Sequence, residues 1–402
     1  MQNAAPAAPP SLVFLIIALT FSHAMAAMAM MVLPAVAPLV AREYGVDASL
    51  VGYQISIVSC GLLISLLSVG NLSRKLGGCR TNQIGHSFVG IGVLLMLLPS
   101  IYFLLPGSLV IGIGFGLLAP SASALLIRFA PPARRNVLFS IHQTSIPLGG
   151  MIAALGAPVV AISLGWRAAF AGAFVLVACA VALMQVGRAA WDDDRDAATR
   201  ALATHPLAGF LANWRNPPMR RLSLAGFSFC WAQFCASAFT VVACVQALDM
   251  SLIAAGTVLL VVQVSNASGR IVAGWIADRM GGAAAVLAWM GWAMLAISIG
   301  FYWLSPAWPL PLTYVMFAAL GITSGAWAGI LLAEVGHLAP AGQVGPVVGG
   351  ALVYINLGKL AGPAVFAATY AMTHSYGIAF ALIAVPALMA VICLSAGNKS
   401  TG

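Results

Sequence analysis

The chain has 402 residues, of which 62% are hydrophobic and 7% are charged, and its formal net charge is +9. Soluble domains carry about 25% charged residues, so this composition excludes an ordinary soluble domain. The positive charge gives little support for nucleic-acid binding, because basic loops beside anionic lipid headgroups account for it.

Twelve apolar segments follow one another along the chain, and most are long enough to cross about 30 Å of hydrocarbon as helices. In the first half they are residues 11–33, 50–70, 84–105, 109–129, 137–162 and 168–186. In the second half they are residues 222–248, 252–275, 283–304, 310–333, 344–370 and 377–396. Backbone polar groups in lipid must be satisfied internally, so we predict transmembrane helices, which we number as segments 1 to 12. Segment 1 is expected to be retained, since residues 1–10 hold no Lys or Arg and its apolar run exceeds a signal core.

Charge is distributed unevenly over the connections between these segments. Most of the 18 Lys and Arg residues lie in the two tails and in the even-numbered connections. The positive-inside rule therefore predicts that both termini are cytoplasmic, in a multi-pass protein of the inner (plasma) membrane.

Two basic loops, after segments 2 and 8, read as copies of each other. Gly70-Asn-Leu-Ser-Arg-Lys-Leu-Gly-Gly78 corresponds to Gly274-Trp-Ile-Ala-Asp-Arg-Met-Gly-Gly282. A duplication with this spacing predicts two six-helix bundles, 1–187 and 222–402. The hydrophilic stretch 188–221 between them is predicted to be a cytoplasmic linker.

The second loop resembles the signature of the major facilitator superfamily, Gly-x-Leu-Ala-Asp-Arg-x-Gly, and Gly165-Trp-Arg-Ala-Ala-Phe170 before segment 6 is also common in that family. The first loop departs from the signature, because Arg74 stands where the family has Asp. The resemblance covers the whole chain and implies an all-α integral membrane fold, with twelve transmembrane helices in two pseudo-symmetric six-helix bundles. It implies a gating role for the motif residues Gly70, Arg74, Gly77, Arg80, Gly274, Asp278, Arg279 and Gly281. It also implies that segments 3, 6, 9 and 12 lie outside, while the others line a central cavity.

Polar residues inside apolar segments are costly, so each is a candidate for function. Lys359 lies near the middle of segment 11, and no Asp or Glu lies deep in any segment. An anionic substrate is therefore the expected counter-ion, although carbonyls or water near Gly362-Pro363 are an alternative. Arg270 shares one helix face with two amides and suits a carboxylate. The predicted substrate-binding set is Lys359, Arg270, Asn266, Gln263, Asn356, Gln143, Gln54 and Tyr354.

His23 is central in segment 1 and titrates near neutral pH, so it is a candidate proton carrier. His142, near the start of segment 5, is a second candidate. The stretch from Gln143 to Gly150 resembles a pattern found in some anion and organic-acid members of the superfamily.

These features predict a secondary active transporter of a small, carboxylate-like organic anion, working by alternating access with a proton as coupling ion. The chain has no GxxxxGK[ST] loop for ATP and no recognisable catalytic group, so we expect neither an ATP-driven pump nor an enzyme. We expect no cofactor, no metal and no nucleic acid, a lipid bilayer as surroundings, and a monomer. The alternatives are an efflux pump for neutral or amphipathic compounds and a non-transporting membrane sensor with the same fold.

Overall fold

In the computed structural model, the described residues are 11–66, 69–131, 134–196, 198, 208–280, 283–340 and 344–395. They form seventeen α-helices, three short 3-10 helices and no strand. The first eight α-helices are α1 (Leu12–Tyr44), α2 (Val51–Leu66), α3 (Val69–Leu76), α4 (Gly78–Met96), α5 (Leu104–Phe129), α6 (Arg135–Gln143), α7 (Ser145–Leu164) and α8 (Trp166–Trp191). The others are α9 (Ala208–Arg215), α10 (Pro217–Ala247), α11 (Leu252–Met280), α12 (Ala283–Gly300), α13 (Leu310–Gly325), α14 (Trp327–Leu338), α15 (Val344–Thr373), α16 (Tyr376–Ala381) and α17 (Ala384–Ser395).

Each of the twelve predicted segments corresponds to one helix or to two successive helices. Segments 5, 10 and 12 are the pairs α6–α7, α13–α14 and α16–α17. Within the described ranges, eleven spans are long and apolar enough to cross a membrane. Segment 3 is α4, whose first half is too polar to count among those eleven. The all-α membrane fold predicted from the sequence is thus confirmed.

Several predicted boundaries were wrong. Segment 3 was placed at 84–105, but α4 begins at Gly78 and ends at Met96. Segment 7 was begun at residue 222, but α10 starts at Pro217, where a proline at the first turn of a helix loses no backbone bond. Helix α15 continues through Gly362 and Pro363 and ends at Thr373.

The described chain forms two compact units. Unit 1 takes the chain up to Met30, Cys60–Gly150 and Arg167–Pro206. Unit 2 takes Met31–Ser59, Met151–Trp166 and the chain from Leu207 onward. The boundary passes through helices α1, α2 and α7, and the division into bundles 1–187 and 222–402 remains a prediction.

Unit 1 has an apolar core shared by α1, α4, α5 and α8. Its buried members include Leu15, Leu19, Cys79, Leu125 and Met184. This packing brings the end of α8 against the start of α4, so that the residue after α8, Asp192, reaches the first loop motif.

Unit 2 is organised around α10 and has a cluster of stacked aromatic rings. Phe239 of α10 stacks on Phe366 of α15 with ring centroids 3.9 Å apart. Phe366 in turn contacts Phe380 at 4.8 Å, and Phe380 lies 4.9 Å from Phe301. These rings join α10, α15 and α16 and hold α15, which carries Lys359, against α10.

Candidate functional site

Lys359 lies where α15 packs most closely on α10. A Cβ atom at Gly358 would stand 2.1 Å from the carbonyl oxygen of Phe227, so only glycine permits this approach. The Lys359 side chain is 2% exposed, and its Nζ lies 4.3 Å from the centroid of the Phe234 ring. Phe227 and Phe234 are seven residues apart and share one face of α10. The result is a buried ammonium over an aromatic ring, a favourable cation–π arrangement.

Arg270 brings a second positive charge to the same part of unit 2. Its Nε donates to Oδ1 of Asn266 at 3.0 Å and to the carbonyl oxygen of Gly325 at 3.3 Å. Gly325 ends α13, so Arg270 satisfies a carbonyl at the break between α13 and α14. Unit 2 therefore holds these two basic side chains within its helices, Lys359 on α15 and Arg270 on α11.

The predicted amides lie in several environments. Gln54 is 5% exposed, and neither atom of its amide has a hydrogen-bond partner among the described residues. Gln263 is buried, whereas Asn356 is half-buried and donates to the carbonyl oxygen of Leu352 at 2.8 Å. Gln143 is half-buried at the end of α6. An unpaired buried amide is costly, so Gln54 is the one most in need of a ligand.

Tyr354 makes contacts that its predicted role did not anticipate. Its hydroxyl donates to the carbonyl oxygen of Phe210 at 3.2 Å, and its ring stacks on that of Phe210 with centroids 4.4 Å apart. Asn213 donates to the carbonyl oxygen of Val347 at 2.8 Å. These contacts fix linker helix α9 on α15, and the substrate-binding role of Tyr354 stays a prediction.

His23 and His142, predicted separately as proton carriers, contact each other in unit 1. Nδ1 of His23 lies 3.2 Å from Nε2 of His142, and both side chains are buried. The ring of Phe115 meets His23 edge-on at 5.2 Å. Nδ1 of His142 has no hydrogen-bond partner within the described part of the chain. One nitrogen of the pair must donate and the other accept, so the pair can take up one further proton.

The polar residues of α4 were not among the predicted substrate-binding or proton-carrying residues, because segment 3 was begun at residue 84 and treated as an outer helix. Asn82, Gln83 and His86 are all buried in unit 1. Asn82 donates to the hydroxyl of Ser121 at 3.0 Å, and Gln83 donates to Oε1 of Gln185 at 2.9 Å. Asn82 and His86 are four positions apart, so a helix through both would place them on one face, and this spacing could have been read from the sequence.

The first loop motif is completed by a carboxylate from another helix. Asp192 accepts hydrogen bonds from the backbone N–H groups of Cys79 at 2.7 Å and Arg80 at 2.8 Å, at the start of α4. Gly77, just before α4, has φ +96° and leaves no room for a Cβ atom, which would lie 2.2 Å from Cγ of Asp192. Burial raises the pKa of Asp192, and the two backbone hydrogen bonds oppose that shift.

The basic residues of this loop face solvent. Arg74 and Arg80 are exposed, and the backbone carbonyl of Arg74 accepts from the N–H of Asp196 at 2.9 Å. Arg74 also lines a cavity of about 530 Å³ together with Arg128 and Asp194. Gly70 lies within α3.

The second loop motif has a different setting. Asp278 is exposed and forms no salt bridge with any described residue. The guanidinium of Arg279 lies 3.8 Å from the centroid of Trp275. Gly274 lies within α11 and has open space around it, while Gly281 lies outside the described residues. The gating roles of both loops remain predictions.

Comparison with known families decides the affiliation. The family model described as Major Facilitator Superfamily matches residues 19–363. The chain belongs to this superfamily. A comparison with curated protein sequences finds no match.

Solved structures of superfamily transporters share the fold at low sequence identity. One is a bacterial homologue of the human lysosomal transporter Spinster in an inward-facing and occupied conformation, 13% identical, with a TM-score of 0.76 and 98% of each chain covered. Another is a POT-family transporter in complex with 5-aminolevulinic acid, 14% identical, with a TM-score of 0.80 over 100% of this chain and 99% of that one. A peptide transporter of the POT family in complex with sulfate is 16% identical, with a TM-score of 0.78 over 99% and 96%. The chain is thus a multi-pass membrane protein with the fold of secondary transporters.

Proposed function

We propose that this superfamily member is a secondary active transporter that carries a small organic anion together with a proton across the inner membrane. The observation that carries the proposal is the ammonium of Lys359, which is 2% exposed beside Phe234. Keeping a charged group out of water is unfavourable in free energy, and charged groups buried within membrane helices are usually functional.

The charge balance around Lys359 favours an anion over a cation. Lys359 is the only buried Lys, Arg, Asp or Glu among the described residues of unit 2. Arg270 adds a second positive charge in unit 2, and the planar donors of its guanidinium suit a carboxylate. A negatively charged substrate would therefore be attracted, and a positively charged one repelled.

The proton is assigned to the His23–His142 pair. Two imidazoles 3.2 Å apart can share one added proton, as an imidazolium that donates to its neutral neighbour. The other titratable group beside α1 is His86 of α4, which contacts Ser22. Proton uptake would offset the charge of the anion and couple the two gradients, which requires cooperative binding.

Unit 2 contains helices from both halves of the sequence, and the packing of two of them supports alternating access. A Cβ atom at Gly256 of α11 would lie 2.6 Å from the carbonyl oxygen of Ala154 of α7, so helices of the two sequence halves are in close contact there. Gly256 lies near the start of α11, the end remote from the second basic loop, which the charge rule assigns to the outer side. Ala154 lies near the middle of α7. The contact represents a closed outer gate.

The decisive experiment is transport by purified protein in proteoliposomes. A thermal-shift screen of carboxylates, with 5-aminolevulinic acid and sulfate included as probes, should first find a stabilising anion. Uptake of that anion should then depend on a pH gradient. Lys359→Ala should abolish binding, Lys359→Arg should keep part of it, and Arg215→Ala, which removes an exposed charge, should leave it intact.

Other outcomes separate the alternatives. Transport of neutral compounds that Lys359→Ala leaves unchanged would contradict the anion proposal and favour efflux. Binding of the anion with no flux under any gradient would instead favour a sensor.

A further inference from the structure

His86 of α4 has an environment that differs from that of the His23–His142 pair. Its Nδ1 lies 2.9 Å from the carbonyl oxygen of Asn82, and its Nε2 lies 2.8 Å from the carbonyl oxygen of Ser22. The side chain is 0% exposed. Both ring nitrogens therefore face oxygen atoms within hydrogen-bonding distance, one on α4 itself and one on α1.

Backbone carbonyl oxygens can only accept hydrogen bonds, whereas a neutral imidazole has one N–H donor and one lone pair. A neutral His86 would point its lone pair at one of the two oxygens. The imidazolium has two donors and satisfies both. We propose that His86 is a second proton-binding site, in which the imidazolium joins α4 to α1 through the carbonyls of Asn82 and Ser22.

The neighbouring charges set the conditions for this site. Titratable groups lie on α4 and on each element around it. They are Cys79 and Arg80 of α4, His23, Arg42, Glu43 and Tyr44 of α1, Arg74 and Lys75 of α3, Arg128 of α5, Arg167, Cys179 and Arg188 of α8, Asp192, Asp193 and Asp194 after α8, and His142 of α6 beyond His23. Asp192 is the one buried carboxylate in this group, and the backbone at the start of α4 already binds both of its oxygens. The two carbonyl dipoles thus stabilise a proton on His86 directly, against the complete burial of the ring, which disfavours its charged form.

The site has a consequence for α1. Ser22, which receives the Nε2 hydrogen bond, directly precedes His23, whose ring contacts His142. When His86 loses its proton, only one of its two hydrogen bonds can remain. A proton on His86 therefore stabilises the position of α1 at the residue next to the His23–His142 pair. This inference holds whatever the substrate is, because it depends only on the packing within unit 1.

Solid-state NMR of the full-length protein in lipid tests the site directly. Histidine would carry NMR-active ring nitrogens, and asparagine would carry an NMR-active carbonyl carbon. The histidine close to an asparagine carbonyl is His86, since its Nδ1 lies on Asn82, so no mutation is needed for assignment. At neutral pH, both nitrogens of that ring should be protonated, and serine carbonyl labelling should show the second contact.

A spectrum in which one His86 nitrogen lacks a proton at neutral pH, or in which either carbonyl contact is missing, would overturn the proposal. A functional arm uses His86→Gln, which can donate only from one end, with His337→Gln at an exposed position as control. Under the proposal, only His86→Gln should lower the thermal stability that the protein gains on acidification. An equal gain in both variants would also count against the site. If His86→Gln does not fold, the wild-type spectrum alone decides.

Discussion

At the scale of single residues, the chain places Lys359 and Arg270 in one unit and three buried histidines in the other. The buried ammonium of Lys359 and the guanidinium of Arg270 lie in unit 2, whereas His23, His86 and His142 lie in unit 1. Each group has a suitable neighbour. The Lys359 ammonium lies over an aromatic ring, and the Arg270 guanidinium and the His86 imidazole each contact a backbone carbonyl oxygen. His23 contacts the imidazole of His142. Under the proposed function, the substrate and the proton would therefore bind at separate positions.

The role of His23 can be separated from simple packing. His23→Gln keeps a hydrogen-bonding side chain of similar size but cannot take up a proton as an imidazole does. We expect proton-driven uptake by this variant to lose its rise as external pH falls. Exchange of labelled for unlabelled substrate needs no net proton movement and should be spared.

The measurement is uptake and exchange in proteoliposomes over a series of external pH values, with His337→Gln as the control. A wild-type pH profile in His23→Gln would mean that the proton is carried elsewhere or is not coupled.

At the scale of elements, the start of α4 depends on a residue from the end of α8. The first N–H groups of a helix have no acceptor within the helix. In α4, the N–H groups of Cys79 and Arg80 donate to the two carboxylate oxygens of Asp192. In the first loop motif, Arg74 replaces the acid of the family signature, and the carboxylate closest to this loop's backbone comes from Asp192 instead. The loop is thus tied to α8 within its own unit.

Gly77→Ala tests how much this contact constrains the loop. Two costs are expected. One is the backbone conformation, φ +96° with ψ 154°, which is essentially restricted to glycine and costs about 1–3 kcal/mol for other residues. The other is a clash with the Asp192 carboxylate. Gly165→Ala is the matched control, because Gly165 has φ +87° but nothing within 4 Å of its Cβ position. Thermal unfolding in detergent should show a larger fall in midpoint for Gly77→Ala. Equal falls would mean that Asp192 moves aside at no cost.

The elements also show which parts of the site could be read from the sequence. The spacing of Gln263, Asn266 and Arg270 predicted one polar face of α11, and the structure adds the carbonyl of Gly325 that this face meets. The capping role of Asp192 and the contact between His23 and His142 could not be predicted, because each joins residues over 100 positions apart. The polar face of α4 could have been predicted from the sequence. The first turns of α4 were instead assigned to a loop, because Arg80 and Asn82 lower the hydrophobicity where the helix begins.

At the scale of the whole molecule, the proposed alternating access requires that the contact of Gly256 with Ala154 inside unit 2 open and close. Gly256 lies against the backbone of Ala154, so a larger side chain there would keep α11 and α7 apart. We expect Gly256→Leu to reduce transport strongly while leaving a folded protein with its outer side open. Gly329→Leu is the control, because open space surrounds Gly329.

Transport and the accessibility of Cys230 to an impermeant thiol reagent added outside should be measured together. Gly256→Leu should raise labelling and lower transport, and Gly329→Leu should change neither. Normal transport by Gly256→Leu would show that this contact is not a gate.

The division of α1, α2 and α7 between the two units also bears on how the protein is made. Synthesis starts at the N-terminus, so Met31–Ser59 and Met151–Trp166 are made before any residue beyond Leu207 exists. These stretches can pack against the rest of unit 2 only after the second half of the chain has been made. A chain that stops before Leu207 would therefore hold unit 1 together with helix segments whose partners are missing, and we expect it to be degraded faster than the 402-residue chain.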